Sequence, residues 1–179
     1  LYDTCIADAM YLAGLIADDA KMTKKDLQKW VENATWGMVA EYTVPWVASS
    51  SPHGREIALK WMDAKDEAIA SAGWGTYSSL VTIKEDADLD LAEIKSLLAR
   101  VAKSIHQQPN RVKYVMNGFV IAVGCYVKPL HKLAVDTAKG IGKVAVDLVG
   151  DCKIPFAPDH IKKFEARSAI GKKRKSPKC

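Results

Sequence analysis

The sequence predicts an all-α fold, because signals for helix starts recur along the chain while patterns typical of β-strands are nearly absent. Thr23 and Asp26 have the spacing of a capping box, and Asp90 and Glu93 repeat that spacing ahead of a second helix. Apolar residues recur every three or four positions, as on one face of a helix. After Asp90 these residues are Leu91, Ile94, Leu97, Leu98, Val101 and Ile105.

Prolines and glycines divide the rest of the chain into further helices. Pro52 and Pro109 stand where the first turn of a helix tolerates proline, and Gly142 marks a helix end. The pattern predicts a first helix over residues 3–19 and a last, short one over residues 159–167. Some eight helices joined by short turns favour a right-handed α/α solenoid. A single closed bundle is the alternative, since no strict repeat of fixed period is present.

Composition predicts one globular domain over residues 1–167. Of the 179 residues, 49% are hydrophobic and 26% are charged, which supplies enough apolar surface for one sizeable core. Apolar runs of transmembrane length and a signal-peptide pattern are both absent, so we expect a cytoplasmic protein. The chain begins at Leu1, close to the first predicted helix, and we expect one more helical unit before it.

The four cysteines predict neither a disulfide framework nor a metal site, since they are widely spaced and form no Cys-x-x-Cys pair. Cys125 lies in an apolar run, as is typical of a small core residue. A catalytic thiol needs a nearby base, and the candidates His106 and His131 belong to no recognisable motif. The sequence therefore predicts no metal and no cofactor, and it does not indicate an oligomer.

Charge is distributed unevenly along the chain. Residues 1–98 carry 9 Lys and Arg against 16 Asp and Glu, a net charge of −7, whereas residues 99–179 carry 17 against 5, a net charge of +12. The basic half is suited to binding a polyanion, and Arg111, Lys113 and Lys128 are candidate contacts. The alternative is that these cations are only the solvated faces of helices.

The end of the chain, residues 168–179, predicts a basic flexible tail. It holds five of the cations and has no apolar periodicity.

Residues 35–42 form a helix-sized block in which Trp36 and Ala40 stand one turn apart and therefore share a helix face. Such a face can form one wall of a ligand site. For Trp36, as for Phe119 further along the chain, ordinary packing in the core is the alternative.

Four strings together resemble one known family. They are residues 8–16 (DAMYLAGLI), Trp36 with its following turn, residues 60–74, and residues 116–124 (MNGFVIAVG). In this order they resemble the DNA alkylation repair family, the AlkD-like proteins with HEAT-like repeats, and most of all a small branch with a basic C-terminal tail. The resemblance covers nearly the whole chain. It implies a right-handed α/α superhelix of HEAT-like helical repeats that binds duplex DNA on its concave face.

The resemblance also implies a chemistry, the release of alkylated purines by a DNA glycosylase. Active members use two tryptophans along the damaged nucleotide and an aspartate that stabilises the cationic sugar, where a fixed anion is needed. By motif, the tryptophans match Trp36 and Phe119, the aspartate falls on Ala40, and a backbone-gripping arginine falls near Ser71. The catalytic acid is therefore replaced by alanine.

Two neighbouring residues remain candidates for the site. Glu41 follows Ala40, but one residue turns a side chain by about 100° around an α-helix, so Glu41 can replace the acid only if the register slips. Asn117 offers an amide to a phosphate or, alternatively, caps a neighbouring turn.

The sequence thus predicts a DNA-binding protein that is a weak, altered or non-catalytic relative of the alkylation repair enzymes. Its expected partner is duplex DNA, with alkylated or otherwise unusual DNA included. If it is an enzyme, it is a DNA glycosylase. The alternative is a helical-repeat scaffold whose basic half binds an acidic protein.

Overall fold

The computed structural model describes residues 1–147 and 153–178, and in these ranges every regular element is helical. The all-α prediction is confirmed. The α-helices in the described residues are α1 (Ala7–Ile16), α2 (Lys24–Glu32), α3 (Val44–Ser50), α4 (Gly54–Met62), α5 (Glu67–Ile83), α6 (Leu91–Ser104), α7 (Asn110–Tyr126), α8 (His131–Ile141) and α9 (Ala157–Ala166).

The capping signals in the sequence do start helices. In the capping box of α2, the Asp26 N–H donates to Thr23 Oγ1 and the Thr23 N–H donates to Asp26 Oδ2, both at 3.1 Å. Asp90 Oδ1 accepts from the Glu93 N–H at 2.9 Å and caps the start of α6. These bonds satisfy N–H groups that have no partner inside the helix.

Two predicted helix boundaries differ from the structure. The first predicted helix is shorter, because the 3₁₀ turn Tyr2–Thr4 ends at Cys5 with φ 57°, a left-handed conformation that cannot continue a right-handed helix. The last helix begins earlier than predicted, at Ala157, since proline is tolerated in a first turn and Pro158 lies inside α9.

Contacts group the chain into two compact units, the first unit (Leu1–Leu80 with Lys175–Cys179) and the second unit (Val81–Arg174). The core of the first unit consists of buried side chains from α1 to α5 and includes Met10, Leu27, Val31, Val44, Val47 and Trp61. The prediction of a single domain over residues 1–167 stays a prediction.

A π-helical turn, Val39–Thr43, leads directly into α3 of the first unit. Its wider hydrogen-bond pattern is visible where the Val44 N–H donates to the Val39 carbonyl oxygen, five residues earlier. Glycines let two helices approach this turn closely. A Cβ atom at Gly14 of α1 would overlap the methyl carbon of Thr43, and one at Gly75 of α5 would lie 3.0 Å from the Glu41 carbonyl oxygen.

The second unit is built around α7, which is buried on nearly all sides. α7 contacts α6, α8 and α9, and so its apolar residues from Val115 to Cys125 have no common exposed face. Ile161 of α9 reaches α7 at Gly124, where a Cβ atom would lie 2.5 Å from Ile161 Cδ1. A helix that is apolar all round is typical of the centre of a core.

Two lysines of the C-terminal residues are paired with acids, although composition predicts a solvated tail. The buried ammonium of Lys173 forms an ion pair with the partly exposed Asp86 at 2.8 Å, within the second unit. Lys178 pairs with Asp19 at 2.9 Å within the first unit, and both side chains are less than one-fifth exposed. Pro177 is buried as well. For these two lysines the prediction of a solvated, flexible tail is corrected, because acids at distant sequence positions hold them.

In the described residues, no single helix is long and apolar enough to span a membrane. Two consecutive segments, Asn110–Tyr126 and Lys128–Ile141, are together long and apolar enough for a span, but they meet at an angle of 111°.

We expect Gly14→Ala to destabilise the protein by about 1–3 kcal/mol, because the added methyl group would overlap Thr43 in a close-packed contact. The free energy of unfolding, measured by chemical denaturation, checks this. Gly118→Ala in α7 is the matched control, since a Cβ atom there meets no atom within 4 Å, and we expect it to be neutral or stabilising by up to about 1 kcal/mol. Equal effects of the two substitutions would contradict the close approach at Gly14.

Candidate nucleic-acid interface

Trp36 is exposed at the start of the helical stretch that contains the π-helical turn. Its carbonyl oxygen accepts from the N–H groups of Val39 and Ala40, at 2.9 and 3.0 Å, so it opens the helix. The side chain is 53% exposed, and Met38 beside it is exposed too. Trp36 is therefore not a core residue, and its indole is available for contact with a ligand.

Ala40 and Glu41 lie beneath this exposed stretch. Ala40 is part of the core of the first unit, so the position that the resemblance assigns to the catalytic acid is buried. Glu41 is also buried, and its Oε1 would lie 3.9 Å from a Cβ atom at Gly37. The register does change here, because the π-helical turn adds a residue to the helix. Gly37 and Glu41 are four residues apart, as are neighbours on one helix face, so Glu41 lies beside the residue that follows Trp36.

Three predicted contact residues are buried instead. Ser71 on α5 and Phe119 on α7 are fully buried, and Asn117 is nearly so. The Asn117 amide donates from Nδ2 to the Pro155 carbonyl oxygen at 3.0 Å, which makes it an internal link within the second unit. The prediction that these side chains touch DNA is corrected, because all three are buried inside the protein.

Three predicted cationic contacts lie at the surface of the second unit. Arg111 and Lys113 are half-buried in the first turn of α7, and the Arg111 guanidinium carbon lies 4.8 Å from the centre of the Tyr114 ring. Lys128 is exposed just after α7. The second unit has 17 Lys and Arg against 10 Asp and Glu, a net charge of +7, and the first unit has 9 against 11, a net charge of −2.

Cys125 has no reactive character in this structure. Its thiol is buried among apolar side chains, and burial raises its pKa from 9.0 to about 12, so it stays protonated at neutral pH. His131 Nδ1 lies 2.7 Å from the Gly124 carbonyl oxygen, to which it donates.

Within residues 1–147 and 153–178, no group of three His, Cys, Asp or Glu residues could hold a metal ion.

Comparison with family models gives no match. Two bacterial relatives match 90% of this chain and 70% of their own length. The uncharacterized protein Lin0241 of Listeria innocua is 31% identical over 164 residues, and the uncharacterized protein Lmo0209 of Listeria monocytogenes is 30% identical over 165.

A solved structure is similar over the whole of this chain. It is 36% identical in sequence, has a TM-score of 0.93, and 77% of its own chain is covered. It is described as "a new family of proteins related to the HEAT-like repeat DNA glycosylases with affinity for branched DNA structures". The chain belongs to this HEAT-like-repeat family. The HEAT-like helical fold expected from the sequence is thereby confirmed.

Family membership supports a relation to DNA-binding proteins. It does not say which residues of this chain, if any, are catalytic. This chain has an exposed aromatic residue at Trp36 and alanine at the position that the resemblance assigns to the acid. The catalytic role of Glu41 and the DNA contacts of Trp36, Arg111, Lys113 and Lys128 stay predictions.

Sequence reasoning missed two features of this HEAT-like-repeat chain. The π-helical turn has no signal in the residues themselves, since Val39, Ala40 and Glu41 fit an α-helix equally well. The pairing of Asp86 with Lys173 joins residues far apart in sequence. For the π-helical turn, the one local hint is the proline at position 45, just after it, because proline removes a hydrogen-bond donor from the helix.

We expect Trp36→Ala to change the free energy of unfolding by less than about 1 kcal/mol, because half of the indole is already in water. Trp61→Ala is the matched comparison in the same unit. Trp61 is 1% exposed, its Nε1 donates to Gln28 Oε1 at 3.0 Å, and its loss should cost about 3–5 kcal/mol. Thermal and chemical denaturation measure both. A large loss at Trp36 would mean that it is a structural residue.

Proposed function

We propose that this protein binds DNA through its basic second unit and prefers branched DNA to linear duplex. The observation that carries the proposal is the similarity, over 100% of this chain, to a structure whose family is described as having affinity for branched DNA. The scaffold function expected as an alternative has no comparable support.

The charge of the second unit supports phosphate binding. Its net charge of +7 lies on a unit whose exposed helix faces carry lysines, including Lys95, Lys103, Lys139, Lys162 and Lys163. Contacts between such cations and phosphates release condensed counterions, which makes affinity largely independent of sequence and strongly dependent on salt.

The exposed indole of Trp36 supports a preference for branched over linear DNA. A branch point interrupts base stacking and leaves base faces open, whereas a linear duplex covers them except at its ends. Aromatic side chains stack on open base faces with little dependence on sequence, for about 1–3 kcal/mol per base. The first unit has a net charge of −2, so an aromatic contact there adds an attraction that charge does not supply.

We expect micromolar-class binding to linear duplex, tighter binding to a four-way junction, and a steep loss of affinity as salt rises. Fluorescence anisotropy with a labelled junction and a labelled duplex of equal nucleotide content measures this. Arg111→Glu with Lys113→Glu should weaken binding and flatten the plot of log K against log salt, by about 0.9 per lost phosphate contact.

Lys25→Glu with Lys65→Glu is the control, because it makes the same change in charge on exposed residues of the first unit. Equal weakening by both pairs would assign the effect to net charge alone. No retention of either DNA at low salt would refute DNA binding and favour the protein-interaction scaffold.

We also propose that binding occurs with little or no glycosylase activity. A sugar cation that forms as the glycosidic bond breaks needs a nearby anion, and the position that the resemblance assigns to that anion is Ala40. Glu41 is buried next to Gly37. Neither Ala40 nor Glu41 therefore presents a carboxylate on the exposed face around Trp36 and Met38. Alkylated duplex is therefore expected to be a ligand and a poor substrate.

Release of 7-methylguanine and 3-methyladenine from methylated duplex DNA tests this, with an active alkylpurine glycosylase as positive control. We expect a rate lower by a factor of about 10²–10³ or more, the usual effect of losing one electrostatic group. Robust release that Glu41→Gln abolishes would contradict the proposal, and would mean that the acid has moved by one position.

A further inference from the structure

The segment 171–174 covers the C-terminal ends of two helices in the second unit. The Gly171 N–H donates to the Cys125 carbonyl oxygen at 2.9 Å, and the Arg174 N–H donates to the Thr82 carbonyl oxygen at 2.8 Å. These carbonyls belong to the last turns of α7 and α5, where a helix has no N–H of its own to offer. The segment therefore supplies the missing donors.

Lys173 adds a buried cation at the same place. Its side chain is 7% exposed, and its Nζ donates to the carbonyl oxygens of Val81 at 3.0 Å and Tyr126 at 2.7 Å, while Asp86 Oδ1 lies 2.8 Å away. An ammonium carries three hydrogens, and here three oxygens surround it. The negative ends of two helix dipoles and a carboxylate compensate the desolvated charge.

Asp86 connects this anchor to Lys128. Its second oxygen, Oδ2, accepts from the Lys128 N–H at 3.2 Å. The stem of Lys128 lies against Gly171, where a Cβ atom would come within 3.0 Å of Lys128 Cβ, and Gly171 has φ +78°. One carboxylate thus fixes both the backbone of Lys128 and the ammonium of Lys173.

The cations on either side of the anchor are exposed to solvent. Lys172 and Arg174 flank Lys173 and are exposed, Lys128 is exposed beside Gly171, and Lys84 is exposed two residues after Thr82. We call Lys84, Lys128, Lys172 and Arg174 the basic edge. Glu85 is the exposed acid next to Lys84.

We propose that the ion pair of Asp86 and Lys173 holds the basic edge in place as a binding surface for DNA phosphates, an inference that rests on the proposed function. A flexible polycation would lose conformational entropy when it binds, whereas an anchored segment has already lost it on folding. Lys173 is a positioning residue, and the cations of the basic edge make the contacts.

The first test is the double substitution Lys172→Ala with Arg174→Ala, which removes two exposed cations and keeps the backbone N–H of residue 174. The control pair is Lys25→Ala with Lys65→Ala, which removes two exposed cations from the first unit. Anisotropy with the labelled four-way junction is measured between about 50 and 200 mM salt, a range within which phosphate-binding proteins lose most of their affinity.

We expect the Lys172 and Arg174 pair to flatten the slope of log K against log salt by about 0.9 per contact, close to 2 for both, and the control pair to leave it unchanged. If the unaltered protein binds and both pairs behave alike, the basic edge is refuted while DNA binding stands. If the unaltered protein does not bind the junction, the proposed function fails and the basic edge fails with it.

Lys173→Met tests the anchor, and Lys178→Met is its matched control. Both substitutions remove a tail lysine that is paired with a partly exposed acid, but Lys178 pairs with Asp19 in the first unit. We expect Lys173→Met to flatten the salt slope toward that of the Lys172 and Arg174 pair, and Lys178→Met to leave it unchanged. If Lys173 has only a structural role, Lys173→Met will lower the melting temperature and leave the salt slope of the folded protein unchanged. That result would overturn the positioning role. If Lys173→Met does not fold, the double substitution of Lys172 and Arg174 alone decides whether the basic edge binds DNA.

Discussion

An all-helical chain must find partners for the backbone groups at every helix end, and this constraint connects local sequence to distant parts of the fold. At helix starts the partner is local, since Thr23 and Asp90 each accept from an N–H three residues later. At the ends of α5 and α7 the partner is remote, because donors come from the segment 171–174. Residues 171–174 are therefore part of the structure of the second unit, and Lys173 is held there by its carbonyl and carboxylate partners.

The π-helical turn has a similar effect on the first unit. Gly14 and Gly75 allow α1 and α5 to approach it closely, so packing holds the turn from two helices. Trp36 is exposed, Ala40 is in the core, and the Glu41 carboxylate lies near Gly37. π-helical turns within α-helices are frequent at functional sites.

Local signals in the sequence predicted most of the helices, because caps and apolar periodicity act over a few residues. Exposure was harder to predict. The resemblance assigned Phe119 and Asn117 to a DNA contact, but it aligns positions and does not say which face of α7 is covered, and α7 is covered on nearly all sides. Composition predicted a mobile tail because nothing near Lys173 in sequence reveals that Asp86 will be its partner.

Binding and base release depend on different parts of this chain. Phosphate binding is a sum over many exposed cations of the second unit, and so it tolerates single changes. Base release depends on one anion at one position, which the resemblance assigns to Ala40. Because Ala40 is buried in the core, a carboxylate there would be desolvated and would cost stability. Packing thus disfavours an acid at position 40. The cations of the second unit lie on other helices and do not depend on the residue at that position.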